Sequence, residues 1–328
     1  MTNTRENILL IRLKSIGDIL FTLPAVHVVR ENFPAAKIHY LVSREHAGLV
    51  RGFAEVDEIM PLDRAVYRSG NLRAAGAATF NLLRDLRRNH YSRVIDFHGY
   101  SETELLAWWS GAPERWGNIY NQFRGWLHTR TSRRTTHVHP VQTNLDLLSR
   151  CGLNFGQIRN EYRLPDDALA AAADFFSAQN LAAAKPTLFI QPFTSDPAKN
   201  WPLECFLTVA GHFHSRGVQV IFGGGPGERE RLAPAAAAGF VIAAGTPLLV
   251  SAGLMKLSTV IVGADTGLLH LSVAMGKRVV MLMRSNVPGS PHPFQHPDWA
   301  VTPGAGKLVA AIPIDAVLQT CTDGFTTL

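Results

Sequence analysis

The sequence predicts an α/β protein made of two Rossmann-like domains, each a doubly wound parallel sheet, that face a cleft. Short apolar runs typical of buried parallel strands alternate with amphipathic helical stretches along the chain. This alternation restarts at residues 187–190, after a hinge-like segment at 182–186. A chain of 328 residues is also too long for one ordinary core. We therefore predict an N-terminal domain over residues 1–170 and a C-terminal domain over residues 171–328.

The first half begins with an apolar strand at 8–13, followed by a turn and a helix that runs to about residue 32. Pro24 cannot donate an intrahelical hydrogen bond, so the regular helix either begins near Leu23 or is kinked there. Residues 37–42 return as the second strand, which gives a βαβ start. The pattern then continues with a helix at 45–53, a strand at 58–60, a helix at 72–88 and a strand at 93–97.

The second half repeats this order, with strands predicted at 187–190, 218–222, 259–262 and 278–283. Its glycine-rich loop at 223–228 suggests a dinucleotide-binding motif. However, Glu228 stands where G-x-G-x-x-G needs its last glycine, and the sequence has no P-loop GK[ST]. We reject both motifs and interpret Glu228 as a hydrogen-bond acceptor for a ribose or sugar hydroxyl.

The segment 263–270 joins an apolar strand to an amphipathic helix and carries phosphate-binding chemistry at the joint. Asp265 is predicted as the helix N-cap, so the next backbone N–H groups point outward at the edge of the sheet, where they bind phosphate. Thr266 adds a hydroxyl donor, and Gly267 lets a ligand approach the backbone. His270 lies one turn further along the same face. The alternative is an ordinary capped helix with a satisfied histidine.

A second loop of the C-terminal domain offers further donors to a nucleotide diphosphate. Thr194 and Ser195 place hydroxyls at the end of a strand, and Lys199 brings a cation into the same loop before a helix starts at Pro202. The sequence has no D-x-D pair to hold a metal on the diphosphate. Lys199 and the helix N-terminus at 266–268 would therefore stabilise a leaving nucleotide.

The edge of the first sheet carries a carboxylate. Asp18 follows the first strand, where open α/β sheets bind their ligands, and can take a proton from a substrate hydroxyl there. Lys14 is placed to hold an anionic group nearby, and His98, after the strand at 93–97, is a candidate for acceptor contact. The alternatives are a plain N-cap for Asp18 and a structural role for His98. A base opposed to diphosphate donors suits an inverting glycosyl transfer.

Composition favours a globular protein with an anionic partner. Hydrophobic residues make up 46% of the chain, no apolar run approaches the roughly 20 residues of a membrane span, and residues 1–7 show no signal-peptide pattern, so we expect a cytoplasmic protein. The net charge of +6 favours a nucleotide, an anionic lipid or a nucleic acid. Nucleic acid is the weakest choice, because no binding motif accompanies the charge. Much of the charge comes from Arg73, Arg84, Arg87, Arg88, Arg93, Arg124, Arg130, Arg133 and Arg134.

Three further groups of residues, which are aromatics, histidines and cysteines, either leave alternatives open or predict no site. Aromatic residues interleaved with arginines suit either a carbohydrate or lipid-headgroup surface or packing beneath an irregular loop; they are Trp108, Trp109, Trp116, Tyr120, Phe123 and Trp126. His137 and His139 lack a third ligand, so no metal site is expected. Cys151, Cys205 and Cys321 show neither disulfide nor metal-ligand spacing and are interpreted as packing residues.

Four stretches together resemble glycosyltransferase family 9, the heptosyltransferases of the lipopolysaccharide inner core. They are residues 8–24 with Gly17, Asp18 and the Leu23-Pro24-Ala25 triplet, residues 96–117 with Gly111, Ala112 and Arg115, residues 199–202, and residues 265–268 with His270. The resemblance implies a GT-B fold and an inverting, metal-independent transfer without a cofactor, from an ADP-heptose donor bound mainly by the C-terminal domain. It also implies a phosphorylated glycolipid acceptor, the lipid A and Kdo core, which the basic first half would meet at the cytoplasmic face of the inner membrane.

Residue by residue, the resemblance makes Asp18 the catalytic base and Lys199 the phosphate partner, with Thr194 and Ser195 beside it. The donor motif falls on Asp265, Thr266, Gly267, Leu268 and His270. Glu228 matches less closely, because its loop varies. Lys14 and His98 remain the candidates for acceptor binding.

The sequence departs from the family pattern in two places. Leu269 stands where a small serine is common, and residues 283–286 replace a glycine-proline-threonine turn beside the donor pocket. These changes leave open a related transferase that uses another nucleotide sugar. The alternatives from other classes are a catalytically silent nucleotide-sugar or glycolipid binding protein and a nucleotide-sugar epimerase.

Overall fold

In the computed structural model, which describes residues 6–120 and 125–326, parallel strands pair into two separate six-stranded sheets. One sheet belongs to a unit that ends at Glu161 and the other to a unit that begins at Tyr162. Each sheet has its own set of helices, so the two units are described in turn. None of the helices in the described ranges has the length and apolar content that crossing a bilayer requires.

The first unit follows the predicted alternation of strands and helices. Its elements are β1 (Asn7–Ile11), α1 (Ile16–Leu20), α2 (Leu23–Asn32), β2 (Lys37–Ser43), α3 (Ala47–Val50), β3 (Glu58–Leu62), α4 (Ala65–Arg68), α5 (Leu72–Arg88), β4 (Arg93–Asp96), α6 (Ser101–Trp109), β5 (Glu114–Ile119), β6 (Arg130–Arg133) and α7 (Pro140–Arg150). The helix after β1 is divided in two, and its second part begins at Leu23 with Pro24 in the first turn, as one of the two predicted possibilities requires.

The strands of this unit lie in the order β3-β2-β1-β4-β5-β6, and every pair is parallel. The chain therefore adds strands on one side of β1 and then crosses to β4 on the other side. Ile11, the last residue of β1, pairs with Leu41 of β2 and with Asp96 of β4. In doubly wound sheets, ligands bind outside the carboxyl ends of the strands at this reversal point, and Asp18 and His98 follow β1 and β4 there.

The second unit repeats the same topology. Its elements are α8 (Asp166–Ala178), β7 (Thr187–Gln191), α9 (Leu203–His214), β8 (Gln219–Gly224), α10 (Ala233–Ala237), β9 (Val241–Ala244), α11 (Leu248–Leu257), β10 (Val260–Ala264), α12 (Gly267–Ala274), β11 (Arg278–Leu282), β12 (Ala300–Val301) and α13 (Ile314–Thr326). The strand order is β12-β11-β10-β7-β8-β9, again with parallel pairs. Its reversal point lies between β7 and β10, which lead to Thr194 and Asp265.

The division between the units lies earlier than the predicted boundary at residue 170. Helix α8 belongs to the second unit because it packs closely on α11: a Cβ added at Gly253 of α11 would lie 2.6 Å from the Cβ of Ala172 and 2.9 Å from the carbonyl oxygen of Ala168. Only small residues allow two helix backbones to approach this closely. The alanine-rich sequence of α8 therefore serves this contact.

The segment that connects the units is held at both ends. On the first unit, the side-chain nitrogen of Asn32 donates to the carbonyl of Asn154 at 2.9 Å, and Arg159 contacts Glu31 at 3.1 Å. On the second unit, the N–H of Tyr162 donates to the carbonyl of Ala274 at 2.8 Å. Two residues separate Arg159 from Tyr162.

Candidate active site

Asp18 lies on the short helix α1, directly beyond the carboxyl end of β1. The structure places the helix N-cap at Ser15, so the alternative in which Asp18 is itself the N-cap is wrong. The Oδ2 atom of Asp18 accepts hydrogen bonds from the backbone N–H of Ser15 at 3.4 Å and from its hydroxyl at 3.2 Å. Since these contacts hold the carboxylate against the start of its own helix, its direction is set by the fold.

Arg12 is the partner of Asp18 that sequence reasoning missed. Its guanidinium is almost fully buried and lies 2.7 Å from Oδ2 of Asp18. The same group donates to the carbonyl oxygens of Lys14 at 3.0 Å and Phe97 at 2.8 Å. It thereby ties the chain after β1 to the chain after β4. A single arginine inside the apolar run of the first strand was the signal that could have identified it.

Two opposing effects set the protonation of Asp18. Burial raises the pKa of its carboxyl, but the charge of Arg12 and the hydrogen bonds from Arg12 and Ser15 lower it, with a smaller effect of Arg134 in the same direction. The net result is a pKa below the usual value. Asp18 is therefore an ionised carboxylate near neutral pH, and 36% of its side chain remains exposed to solvent.

His98 lies directly after β4 and is buried. Its backbone N–H donates to Asp96, and its ring lies 4.7 Å from that of Tyr100. Burial, together with the charge of Arg12, lowers the pKa of His98 to about 4, so the imidazole is neutral near pH 7. Within the part of the chain that the structure describes, neither ring nitrogen has a hydrogen-bond partner. The site around Asp18 thus contains a neutral group able to donate to or accept from a hydroxyl.

Lys14 lines a cavity of about 320 Å³ beside this edge of the first sheet. The other lining residues are Glu45, Arg64, Tyr67, Arg68 and Glu102. Three cations thus face two carboxylates, and Glu102 lies 3.6 Å from Arg64. Lys14 was predicted to hold an anion, and the structure surrounds it with two arginines that the sequence analysis had not selected.

In the second unit, Asp265 joins two of the predicted donor-binding residues. Its Oδ2 lies 2.8 Å from Nζ of Lys199, and its Oδ1 lies 3.0 Å from Nε2 of His270. Burial raises the pKa of Asp265, but the hydrogen bonds and charges of His270 and Lys199 lower it below the usual value. The prediction that Asp265 is the N-cap of the following helix is wrong. Its carboxylate instead links this helix to the loop after β7.

The N-cap of α12 is Thr266, one residue later than predicted. Its backbone is extended, and its hydroxyl oxygen is buried without a hydrogen-bond partner in the described residues. Gly267 and Leu268 form the first turn, where backbone N–H groups have no acceptor inside the helix. Unpaired donors at a helix start, together with the cation of Lys199 nearby, suit an anionic ligand. Leu269 is fully buried, so its departure from the family pattern affects packing.

Thr194 and Ser195 lie in the loop between β7 and α9. The N–H of Thr194 donates to the side chain of Asn200 at 2.9 Å, and its hydroxyl donates to the carbonyl of Asp196 at 2.7 Å. The Thr194 hydroxyl therefore stabilises the loop, while Ser195 is exposed. Asn200 organises this loop and was not identified from the sequence. Its place beside Lys199 in the family motif was the available signal.

Glu228 lies after β8, one strand beyond β7 at the same edge of the sheet. Its Oε2 accepts a hydrogen bond from the backbone N–H of Gly225 at 2.7 Å, which closes the glycine-rich loop. The structure does not place Glu228 in contact with Lys199 or Asp265. Its predicted contact with a ribose or sugar hydroxyl stays a prediction.

A cavity of about 180 Å³ opens beside the Lys199–Asp265 pair. Residues 283–285 line it, so most of the turn that departs from the family pattern borders the Lys199–Asp265 pair. The complete lining is Lys199, Asp265, Leu282, Met283, Arg284, Ser285, Ser290, Pro291 and Val309. Arg284 adds a second cation, beside Lys199, that was not among the predicted donor-binding residues.

The aromatic residues of the first unit divide between two roles. Trp116 is buried, and the guanidinium of Arg93 lies 4.6 Å from its ring centre, so this residue packs inside the fold. Trp108, Trp109, Tyr120 and Trp126 are exposed. Phe123 and Arg124 lie outside the described residues.

His139 and the three cysteines, for which the sequence predicts no site, are found at the following places in the fold. His139 is the N-cap of α7 and accepts from the N–H of Val141. Cys151, Cys205 and Cys321 are free thiols, two of them buried. In residues 6–120 and 125–326, no group of three His, Cys, Asp or Glu side chains is arranged to hold a metal ion.

The chain is similar to known proteins over most of its length. Residues 79–304 match the model of glycosyltransferase family 9 (heptosyltransferase). Lipopolysaccharide heptosyltransferase 1 of Escherichia coli (strain K12) is 24% identical over 291 residues, which cover 86% of this chain and 89% of that protein.

Two solved structures share the fold. The family 9 glycosyltransferase of Veillonella parvula has a TM-score of 0.87 at 19% identity, covering 100% of this chain and 99% of that one. E. coli heptosyltransferase WaaC with ADP-2-deoxy-2-fluoro heptose has a TM-score of 0.77 at 21% identity, covering 97% and 99%. The predicted fold class, two Rossmann-like domains of the GT-B type, is thereby confirmed. Since the family model matches more than half of its residues, this chain belongs to glycosyltransferase family 9, the heptosyltransferase family.

Proposed function

We propose that this protein transfers heptose from ADP-heptose to a phosphorylated glycolipid of the lipopolysaccharide inner core, with inversion at the anomeric carbon. The observation that carries the proposal is the group Lys199, Asp265 and His270 at the start of α12, at the reversal point of the second sheet. The similar E. coli protein was solved with an ADP-heptose analogue, which supports the choice of donor.

On the donor side, Lys199 and the first turn of α12 receive the diphosphate. An ammonium group has three N–H donors, and Asp265 uses one of them at 2.8 Å, which leaves two for phosphate oxygens. Asp265 holds Lys199 in place, while His270 fixes Asp265 from the other side. As the bond from the sugar to the diphosphate breaks, negative charge grows on the phosphate, and these cationic and amide donors stabilise it without a metal ion.

On the acceptor side, Asp18 takes the proton of the attacking hydroxyl. Its contacts to Arg12 and Ser15 all use Oδ2, so we assign proton transfer to Oδ1. A carboxylate with a lowered pKa is a weak base. It suits a reaction in which the hydroxyl loses its proton while the new bond to an oxocarbenium-like carbon forms. We place an anionic group of the acceptor in the cavity of Lys14, Arg64 and Arg68.

The proposed acceptor is a lipid, so we propose that the protein works at the cytoplasmic face of the inner membrane, as a peripheral protein. The charge of the chain supports this, because the leaflet there is anionic and attracts basic residues. No nucleic acid partner and no resident cofactor are part of the proposal.

A thermal-shift titration with ADP, UDP, GDP and CMP, without added metal, tests the donor. A ligand that binds only the native state stabilises it by about 2.7 kcal/mol at a concentration of about 100 times its Kd. We expect ADP to raise the melting temperature, and Lys199→Gln to reduce the effect. A response to UDP or GDP alone would contradict the heptose assignment and favour another nucleotide sugar, which the altered turn at 283–285 would then explain. No response to any nucleotide would contradict the proposed donor site.

Substitution of the base separates an enzyme from a binding protein. Asp18→Asn keeps the shape of the side chain but removes its ability to accept a proton, so transfer should fall by roughly 10²- to 10⁴-fold. The thermal shift with ADP should not change, because Asp18 belongs to the other unit. Full transfer by Asp18→Asn would refute its role as base. Release of a free epimerised sugar without any acceptor would favour an epimerase.

A further inference from the structure

Apolar side chains are exposed together on the outer faces of α5 and α6 in the first unit. Leu105, Trp108 and Trp109 lie at i, i+3 and i+4 on α6, with 55%, 47% and 39% of each exposed. Phe80 on α5 is 65% exposed. Monomeric proteins seldom expose several large apolar side chains on one contiguous surface, and such patches mark contact with a partner or a membrane.

These side chains form one continuous surface. The indole N–H of Trp109 donates to the carbonyl of Leu83 on α5 at 3.2 Å, and the guanidinium of Arg87 lies 5.7 Å from the Trp109 ring. Phe80 lies one turn before Leu83 on the same side of α5. We call this surface the α5–α6 face and define it as Phe80, Arg84, Arg87, Leu105, Trp108 and Trp109.

A further aromatic residue flanks this face. Glu104, one turn before Trp108 on α6, accepts from the N–H of Leu127 at 2.8 Å. This contact holds the preceding residue, Trp126, close to α6, and Trp126 is 83% exposed. The exposed aromatic surface therefore extends beyond the two helices.

The charge of the face is positive. Helix α5 carries four exposed arginines and one aspartate, which lies 3.5 Å from Arg84. Arg84 and Arg87 follow Phe80 at i+4 and i+7, so all three share the exposed side of the helix, while Leu82 and Leu86 face the core. The two carboxylates of α6 are engaged elsewhere: Glu102 lies 3.6 Å from Arg64, and Glu104 holds the Leu127 N–H. Asp85 pairs with Arg84, whereas Arg87 lies against the Trp109 ring, and helix α5 as a whole carries three more arginines than aspartates. The face therefore combines indole and phenyl rings with an excess of positive charge.

We propose that the α5–α6 face docks onto a lipid bilayer that carries anionic headgroups. Tryptophan rings prefer the level of the headgroups, and arginines gain from the negative surface potential and from phosphate contacts. A second copy of the chain fits less well, because a two-fold contact would bring the same arginines of both copies together. The inference rests on the proposed function only for the presence of a membrane, and it names the surface that contacts it.

Vesicle flotation tests this proposal. We expect the full chain to float with vesicles of phosphatidylcholine and phosphatidylglycerol in equal parts, less with phosphatidylcholine alone, and less at high salt. Phe80→Ser with Trp108→Ser should abolish flotation. Arg84→Gln with Arg87→Gln should weaken binding by roughly fivefold per arginine. The matched controls are Leu169→Ser, on α8, and Arg216→Gln, both exposed residues of the second unit that should leave flotation unchanged.

Two further measurements keep the result interpretable. A circular dichroism spectrum and a melting temperature like those of the wild type would establish that the variants fold. Analytical sedimentation of the wild type and the variants distinguishes a membrane from a second copy of the chain as the partner of this face. If the wild type is a dimer and the variants lose both dimerisation and flotation, the face is a contact between copies and the proposal is overturned. Flotation of folded variants like that of the wild type would overturn it as well. A chain that floats but does not transfer heptose would refute the proposed function and leave the docking face standing.

Discussion

Arg12 and Asp18 form a charge pair in which the two partners have unequal exposure. The guanidinium is buried and bonded to the carbonyl oxygens of Lys14 and Phe97, whereas the carboxylate is partly open to solvent. A buried cation is costly unless it is paired and hydrogen-bonded, so Arg12 depends on these three contacts. In return, it holds the proposed base ionised and in a fixed direction.

The pH dependence of transfer should therefore respond to Arg12. Removing its charge in Arg12→Gln takes away the main influence that lowers the pKa of Asp18 and leaves the burial that raises it. The acidic limb of the kcat/KM profile should move to higher pH. Arg134→Gln should move it in the same direction by less, because Arg134 has the smallest effect on Asp18. An unchanged acidic limb in both variants would mean that another group controls it.

Asp265 gives a second pH prediction, which concerns stability. Its pKa is lower in the folded state than in an unfolded chain, so its contribution is present above the unfolded value of about 4 and is lost as the pH falls through the folded value. The melting temperature of Asp265→Asn should lie below that of the wild type near neutral pH. The difference should shrink in acid below about pH 4. Thermal melts of both proteins across this range would measure it, and a constant difference would exclude this explanation.

At the scale of elements, the start of α12 depends on the close approach of β10 and β7. Gly263 of β10 pairs with Gln191 of β7, and a Cβ at Gly263 would lie 2.4 Å from the Gln191 carbonyl oxygen. The two strands end close together only because glycine stands there, and they lead to the Lys199 loop and to Asp265.

Gly263→Ala should therefore separate the donor-binding residues. Overpacking of this kind costs about 1–3 kcal/mol, and we expect a lower melting temperature and a smaller shift with ADP. The control is Gly211→Ala in α9, where a Cβ would meet no atom within 4 Å. Alanine is the better helix former, so this variant should gain about 0.5–1 kcal/mol and bind ADP normally. Normal ADP binding by Gly263→Ala would show that the strand approach is unimportant for the site.

Elements and their order were largely predictable, because apolar runs and helical periodicity are local properties of the sequence. The positions of Asp18 and Asp265 after their strands followed from this order. Contacts between distant segments were not predictable in the same way. Arg12 with Phe97, and Lys199 with Asp265, join residues far apart in the chain, and only the folded sheet brings them together. The N-cap at Thr266 was missed because Asp265, an equally good cap by composition, forms ion pairs instead.

At the scale of the whole molecule, two units with the same strand order carry different chemistry at their reversal points. The first presents a carboxylate and a neutral histidine, and the second a lysine, an ion-paired aspartate and a helix start. Since each unit has its own sheet and its own buried side chains, each is large enough to unfold as a cooperative unit.

Scanning calorimetry should therefore resolve an effect of nucleotide on one unit. We expect ADP to raise the unfolding transition of the second unit and to leave that of the first unchanged. Asp18→Asn should show the same response, and Lys199→Gln a smaller one. An equal shift of the entire heat-capacity profile would contradict independent unfolding of the two units.

The connection between the units has an entropic consequence. Arg159 is fixed to Glu31 of the first unit and the N–H of Tyr162 to the carbonyl of Ala274 in the second, so only two residues of the connection lie between these contacts. Two residues span at most about 7 Å. Fixing them in one conformation costs about 2–4 kcal/mol, at about 1–2 kcal/mol per residue. A long flexible linker would stay unordered in the folded protein and would not carry this cost.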